Sequence, residues 1–182
     1  MRDCVRRVGA FAAAASLAAC AGATTSPALH QWQLAHRNDP IFGANLTAVL
    51  SMGHGYNIAS GDILTGALEL KCFKSKPIVV LAFNYKVGSN TSAAVSYRFD
   101  DKPGVDAKAR FLRNYSTIVI DDPSEVRRFV ADLSTANRLW IRIDSLMVND
   151  TNIELDVRGG GLASEQALAN CPLPPVVADR RT

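Results

Sequence analysis

Few side chains in this chain have the types and spacing that enzyme chemistry requires. His36 and Asp39 are three residues apart, and His54 stands between Gly53 and Gly55 at a predicted hairpin tip. A histidine beside a carboxylate could serve as the base for a serine nucleophile. Neither a Gly-x-Ser-x-Gly turn nor a His-Glu-x-x-His helix accompanies them. The sequence therefore predicts exposed loop histidines and a protein that is not an enzyme.

Two pairs of acids and a glycine run could also form sites. A glycosidase needs two carboxylates across one cleft, but Asp100–Asp101 and Asp121–Asp122 follow predicted strands, where turn and helix-cap roles are favoured. Gly159–Gly161 could hold an anion at a helix start, but no lysine follows, which favours a flexible turn. No histidine has zinc-type spacing to a cysteine, so no metal or cofactor is predicted.

Lipid attachment is the chemistry indicated at Cys20. Three arginines precede an apolar run, Val8–Ala19, which has the length of the hydrophobic region of a secretory signal and is too short to span a bilayer. Leu17–Cys20 resembles the bacterial lipobox, after which the new N-terminal cysteine carries diacylglycerol and an amide-linked chain such as palmitate. Two or three chains hold a protein on a membrane almost permanently. The alternative is an ordinary cleaved signal followed by a chance cysteine.

The lipobox resemblance implies a location and a set of boundaries. Residues 1–19 would be the signal peptide, and Ala21, which is not aspartate, implies sorting to the periplasmic face of the bacterial outer membrane. Residues 20–39 are predicted as the lipidated cysteine and its tether, residues 40–172 as a single domain, and residues 173–182 as a disordered tail.

Cys72 and Cys171 are the remaining cysteines of the mature chain. An even pair in an oxidising compartment predicts a disulfide. Closing a loop of about 100 residues contributes up to about 4.7 kcal/mol in the chain-entropy model. Two separate buried thiols are the alternative.

Charged and aromatic residues in predicted strands provide a candidate partner surface. Arg98 and Asp100 share one face of a strand and could pair, while Arg142 and Arg158 lie in or beside later strands. Such residues commonly form solvated ladders. Trp140 faces either outward, where it could anchor an interface, or into the core against a helix, and the sequence leaves both open.

The elements that would position these residues are mostly strands. Seven strands are predicted, four from alternation of apolar and polar residues, one (77–85) from a run that is apolar on both faces, and two (93–100 and 115–120) from their content of β-forming residues. They are Leu46–Met52, Leu68–Phe73, Pro77–Tyr85, Ala93–Asp100, Tyr115–Ile120, Leu139–Ile143 and Ile153–Val157. Turns are predicted at 86–90 and 101–104, and Val148–Thr151 is predicted to connect the last two strands.

Two helices complete the predicted fold. Asp122 and Pro123 open the clearest one, whose apolar residues recur at helical spacing up to Leu133. A short helix over Leu162–Asn170 leads to Cys171. The order favours an α+β domain built on a mainly antiparallel sheet, as a sandwich or partial barrel, with one main helix and a short C-terminal helix.

Charge argues against a nucleic-acid partner. The whole chain has 20 Lys and Arg against 17 Asp and Glu, but three arginines and one aspartate lie in residues 1–19. The mature chain is therefore nearly neutral, and it has no basic run and no aromatic stacking platform.

Several segments together resemble a known family. They are Leu68–Cys72, Val95–Asp100, the helix around Phe129, Leu139–Arg142, Leu155–Gly159 and the closing Cys171. Their order is similar to that of the small periplasmic proteins associated with type VI secretion, the VasI/TagO-like family, over residues 40–172. The chain departs from that pattern at Phe111–Asn114, where the family has Trp-x-x-Ser.

These features predict a non-enzymatic, lipid-anchored periplasmic protein that binds an envelope protein, and the resemblance implies an accessory role in type VI secretion. The alternative function is inhibition or modulation of cell-wall hydrolases, as in the lysozyme-inhibitor lipoproteins, which are also small disulfide-bonded β-domains.

Overall fold

The computed structural model describes residues 31–38, 45–57, 61, 63–87, 93–112, 115–145, 148–171 and 173. The predicted signal peptide, Cys20 and the tail beyond residue 173 lie outside the described residues. Within them the chain forms strands and two helices in the following order: β1 (Gln33–Asn38), β2 (Asn45–Asn57), β3 (Ile63–Phe73), β4 (Lys76–Phe83), β5 (Ala93–Phe99), β6 (Val105–Phe111), β7 (Thr117–Ile120), α1 (Pro123–Leu133), β8 (Arg138–Ser145), β9 (Val148–Asp156) and α2 (Gly160–Leu168). Neither helix of this described part is long and apolar enough to cross a membrane.

The strands close into an antiparallel barrel. Neighbours follow the order β2-β3-β4-β7-β6-β5-β8-β9, and β9 pairs back onto β2, which makes a ring of eight strands. β1 lies outside the ring and pairs with the first half of β2, while β9 pairs with its second half. The predicted antiparallel α+β fold is thus confirmed, and the barrel is closed.

Period-two patterning fills the interior of the barrel with apolar side chains. Along β3, Leu64, Gly66, Leu68 and Leu70 are buried, and the residues that alternate with them are partly exposed. β4 is buried on both faces, as its apolar run predicts, because Ile78 and Val80 pack with Val119 in a small second cluster. The inward residues of β5 to β9 and of both helices complete one continuous core.

Two glycines allow the barrel to close. A Cβ on Gly53 would lie 2.5 Å from the carbonyl oxygen of Glu154, and one on Gly55 would lie 2.2 Å from that of Asn152. Both glycines belong to β2, where it pairs with β3 and β9. The predicted hairpin tip at His54 is therefore wrong, because these glycines serve the close approach of two strands and form no turn.

Helix α1 has the predicted cap and packs against aromatic side chains of β5. The Asp122 carboxylate accepts hydrogen bonds from the backbone N–H groups of Ser124 (2.9 Å) and Glu125 (3.1 Å). The Phe129 ring lies edge-on to Tyr97 and Phe99, with 5.0 Å between centroids in each pair. The predicted helix is confirmed, and its apolar stripe faces the core.

The predicted disulfide between Cys72 and Cys171 is present, with 5.7 Å between the Cα atoms. It joins the end of β3 to the chain just after α2. That helix begins at Gly160, two residues earlier than predicted, because Gly159 adopts a positive φ of 82° and turns the chain directly into it. Gly160 and Gly161 are consequently helical and do not form a flexible turn.

The structure differs from the sequence predictions in three further places. The predicted tether, residues 20–39, is too long, because Trp32 is buried and Gln33–Asn38 form β1. Val148–Thr151 does not connect two strands but begins β9, where Val148 pairs with Ser145. β6 was not predicted, since its small residues Ala107 and Ala109 weaken the strand signal.

Candidate functional site

The outer face of β5 and β8 carries most of the predicted partner residues. Arg98 is paired in register with Trp140, and Ser96 with Arg142. Because Leu139, Ile141 and other alternate residues of β8 point into the core, Trp140 lies on the outer face and is partly buried there. The Arg98 guanidinium carbon lies 4.7 Å from the centroid of the Trp140 ring, which is cation–π geometry.

An open depression of about 400 Å³ surrounds this pair, and we call it the Trp140 depression. It is lined by Ser96, Tyr97, Arg98, Gly104, Trp140, Arg142 and Asn152. Among the described residues that line it there are two arginines and no acid. The Ser96 hydroxyl donates to the Asp106 carboxylate on β6 (2.6 Å), which places one acid beside the depression.

The two arginines of the depression could contact an incoming anion. No side chain that the structure describes forms an ion pair with the Arg98 or the Arg142 guanidinium. A guanidinium fork matches the geometry of a carboxylate, and the indole ring beside it offers apolar contact area. The arrangement suits recognition of an acidic peptide segment.

The Asp100 carboxylate bonds to backbone N–H groups of the chain before and at the start of β8, and not to Arg98 as the sequence suggested. Its φ is +45°, and its carboxylate accepts hydrogen bonds from the backbone N–H groups of Asn137 (3.1 Å) and Arg138 (2.9 Å). These bonds fasten the end of β5 to the start of β8. Asp100 therefore positions the strand that carries Trp140 and is not part of the depression.

Arg158 lies in a different polar region, at the end of β9. Its Nε–H donates to the Asp156 carboxylate (2.9 Å), and this hydrogen bond, with the accompanying charge attraction, raises the pKa of Arg158. Arg138 and Glu154 form a neighbouring ion pair of 3.4 Å. Charges in this region are therefore matched internally.

Within the described part of the chain, the candidate catalytic residues do not lie together. His54 is exposed on β2, in register with Glu154, and Asp39 lies outside the described part. No group of three or more metal-binding side chains occurs where the chain is described. Burial raises the pKa of Tyr97, which the nearby Arg128 partly offsets, and its ring belongs to the core beneath α1.

The sequence analysis did not predict the surroundings of two aromatic residues, Trp32 and Phe73. Trp32 is buried, and its indole N–H donates to the carbonyl oxygen of Arg158 (3.0 Å). Phe73, at the end of β3, is exposed beside lysines. The alternation through Lys71 and Phe73 could have indicated that Phe73 points outward.

The chain matches no protein-family model, and neither curated proteins nor solved structures show significant similarity to it.

Proposed function

We propose that this chain is a non-enzymatic, lipid-anchored accessory protein of the bacterial periplasm that binds an acidic segment of an envelope protein. The observation that carries the proposal is the Arg98 guanidinium over the Trp140 ring, beside a second arginine, Arg142. Tryptophan and arginine are the residue types enriched where binding energy concentrates in protein interfaces.

The barrel supports a surface role for this site. Apolar side chains fill the interior, so that a partner would meet the outer face of the strands. The β5–β8 pair is held by its register and by the hydrogen bonds of Asp100, which fix Arg98 and Trp140 before a partner arrives. Preorganised groups lose less entropy on binding.

The proposed location in the envelope and the proposed role in type VI secretion both rest on sequence resemblance. The lipobox-like Leu17–Cys20 supports attachment at Cys20 to the periplasmic face of the outer membrane, where an anchor raises the local concentration for a partner. The order of segments similar to the VasI/TagO-like proteins supports an accessory role in type VI secretion.

The lipid attachment is tested by metabolic labelling with palmitate and by intact mass. We expect wild type and Cys4→Ser to incorporate label, since Cys4 lies within the signal peptide, and Cys20→Ser to incorporate none. An exported wild-type species whose mass shows an unmodified cysteine would contradict this part of the proposal.

The partner surface is tested by crosslinking in cells that express a tagged, lipidated protein. Trp140→Ala and Arg142→Glu should each lower capture of the partner about thirty-fold, as expected when an interface residue worth about 2 kcal/mol is lost. Lys86→Glu, an equal charge change beyond the end of β4, is the control and should capture normally.

Identification of the captured protein separates the two functions. A component of the secretion apparatus supports the proposal. Inhibition of a muramidase by the purified protein, lost in Arg142→Glu, supports the hydrolase-inhibitor alternative instead. Equal capture by wild type, Trp140→Ala and Arg142→Glu would mean that the Trp140 depression is not the binding site.

A further inference from the structure

The turn between β3 and β4 exposes an aromatic side chain among cations. Phe73 is 48% exposed although it is a large apolar residue. Lys74 and Lys76 are exposed on either side of Ser75. The Lys74 ammonium lies 5.5 Å from the centroid of the Phe73 ring, so that ring and charge form one unit. We call Phe73–Lys76 the basic tip.

The basic tip is held in place by its surroundings. Phe73 and Lys76 are the last pair in register, and Lys74 and Ser75 form a tight two-residue turn with φ of 51° and 60°. Cys72, next to Phe73, is bonded to Cys171. Because the Phe73 ring is exposed at a fixed position, it could contact an apolar environment without a conformational change of the chain.

We propose that the basic tip docks on a membrane surface that contains anionic phospholipid. Lysines near an anionic surface are attracted to its headgroups, and an aromatic ring prefers the boundary between headgroups and acyl chains. The Lys71 ammonium is bonded to the Glu69 carboxylate (2.9 Å), which leaves Lys74 and Lys76 as the net positive charge beside Phe73. A bilayer complements both features of the tip.

Docking in this way would orient the whole domain. In the ring of eight strands, β3 and β4 lie directly across from β5 and β8. The antiparallel pairings put Arg98 and Trp140 near the same end of the barrel as the basic tip but on the opposite wall, so that docking through the tip would leave them outside the membrane contact. The chain between Cys20 and Trp32 has a contour of about 35–40 Å, which is long enough to permit this orientation.

The inference rests on the envelope location in the proposed function but not on the Trp140 depression. It is tested with residues 21–182, which contain every described residue and carry no lipid. We expect sedimentation with vesicles of phosphatidylcholine and phosphatidylglycerol (about 3:1), weakened by salt, and little with phosphatidylcholine alone.

Variants at the two ends of the same hairpin give matched comparisons. Phe73→Ser should lower partitioning about tenfold, and Lys74→Glu and Lys76→Glu at least about five-fold each. Ile63→Ser removes an apolar side chain that is 67% exposed at the other end of β3, and Lys86→Glu reverses a charge beyond the other end of β4. Both controls should partition like wild type, with thermal unfolding confirming that each variant is folded.

Fluorescence quenching by brominated lipid tests the orientation. Phe73→Trp should gain an emission component that the lipid quenches, while Trp32 and Trp140 of wild type should stay unquenched. The inference is overturned if wild type binds neither vesicle, if Ile63→Ser weakens binding as much as Phe73→Ser, or if wild-type emission is quenched. Any of these results would leave partner capture through the Trp140 depression unaffected.

Discussion

The two tryptophans differ in what surrounds their side chains. Trp32 is 5% exposed, belongs to the continuous core and donates a hydrogen bond to the Arg158 carbonyl. Trp140 lies on the outer face of β8 beneath Arg98. The same residue type thus contributes to folding at one position and to the surface at the other.

Stability measurements should separate these roles. Trp32→Ala should lower the free energy of unfolding by about 3–5 kcal/mol, because it leaves a cavity and an unpaired carbonyl group. Trp140→Ala should cost less than about 1.5 kcal/mol, since it removes only partly buried area and one cation–π contact. Urea denaturation of the two variants measures both values. Equal losses would mean that Trp140 supports the core.

Among the elements, α1 depends on an acid at its start. The Ser124 hydroxyl donates to the Asp122 carboxylate, and this hydrogen bond, followed by that of the Glu125 backbone N–H, lowers the pKa of Asp122. The charged form is therefore favoured in the folded state. Its contribution is fully present above the unfolded pKa, near 3.8, and is lost as the pH falls through the lower folded value.

Removing this cap should produce a pH-dependent loss. Asp122→Ala should lower the free energy of unfolding by about 1 kcal/mol at neutral pH, and the difference from wild type should shrink as the pH falls below about 4. Asp101→Ala, a change at an exposed acid in the β5–β6 turn, is the control. Denaturation midpoints between about pH 2 and pH 7 provide the test. A constant difference over that range would show that the Asp122 charge does not matter.

At the scale of the molecule, closure of the barrel depends on the contact of β2 with β9. At Gly55 the atoms nearest to an added Cβ include the Asn152 carbonyl oxygen and the Ile153 Cα, which are backbone atoms and cannot turn aside. The two strands are nearly a hundred residues apart in the sequence, so closure joins distant parts of the chain.

Gly55→Ala should therefore cost about 3 kcal/mol and speed hydrogen exchange of the β9 amides that face β2. Gly104→Ala is the matched control, since its Cβ would meet nothing within 4 Å. Denaturation and amide exchange of the two variants should differ clearly. Similar stability in both would show that the barrel seam tolerates a methyl group.

Local sequence patterns predict those features that depend on neighbouring residues or on residue type alone. The alternation in β3, the cap of α1 and the cysteine pair each specify a face, a start or a bond without knowledge of the rest of the fold. The turn predicted at Gly53 and Gly55 is wrong because glycine occurs both in turns and where two strands approach closely. Only the position of β9, which is distant in the sequence, distinguishes the two cases.

The candidate site was predictable in composition but not in arrangement. Arg98, Trp140 and Arg142 were singled out by residue type and strand periodicity. That Trp140 faces outward, that Arg98 stacks on it, and that Asp100 and Arg158 bond elsewhere all depend on strand register between segments about 40 residues apart. No pattern within a single strand contains that information.

The disulfide also determines how the molecule would bear tension. Cys72 and Cys171 are 99 residues apart, so a pull between the two chain ends passes through β1, β2 and β3, crosses the sulfur bridge and leaves beyond α2. The chain from β4 to α2 is enclosed in a covalent loop, so the covalent path of the force bypasses it. Force on the N-terminus would first peel β1 from β2, residue pair by residue pair, while the strands that present Trp140 stay shielded. A protein held at its N-terminal end, as we propose, could therefore be stretched there while the surface around Trp140 keeps its arrangement.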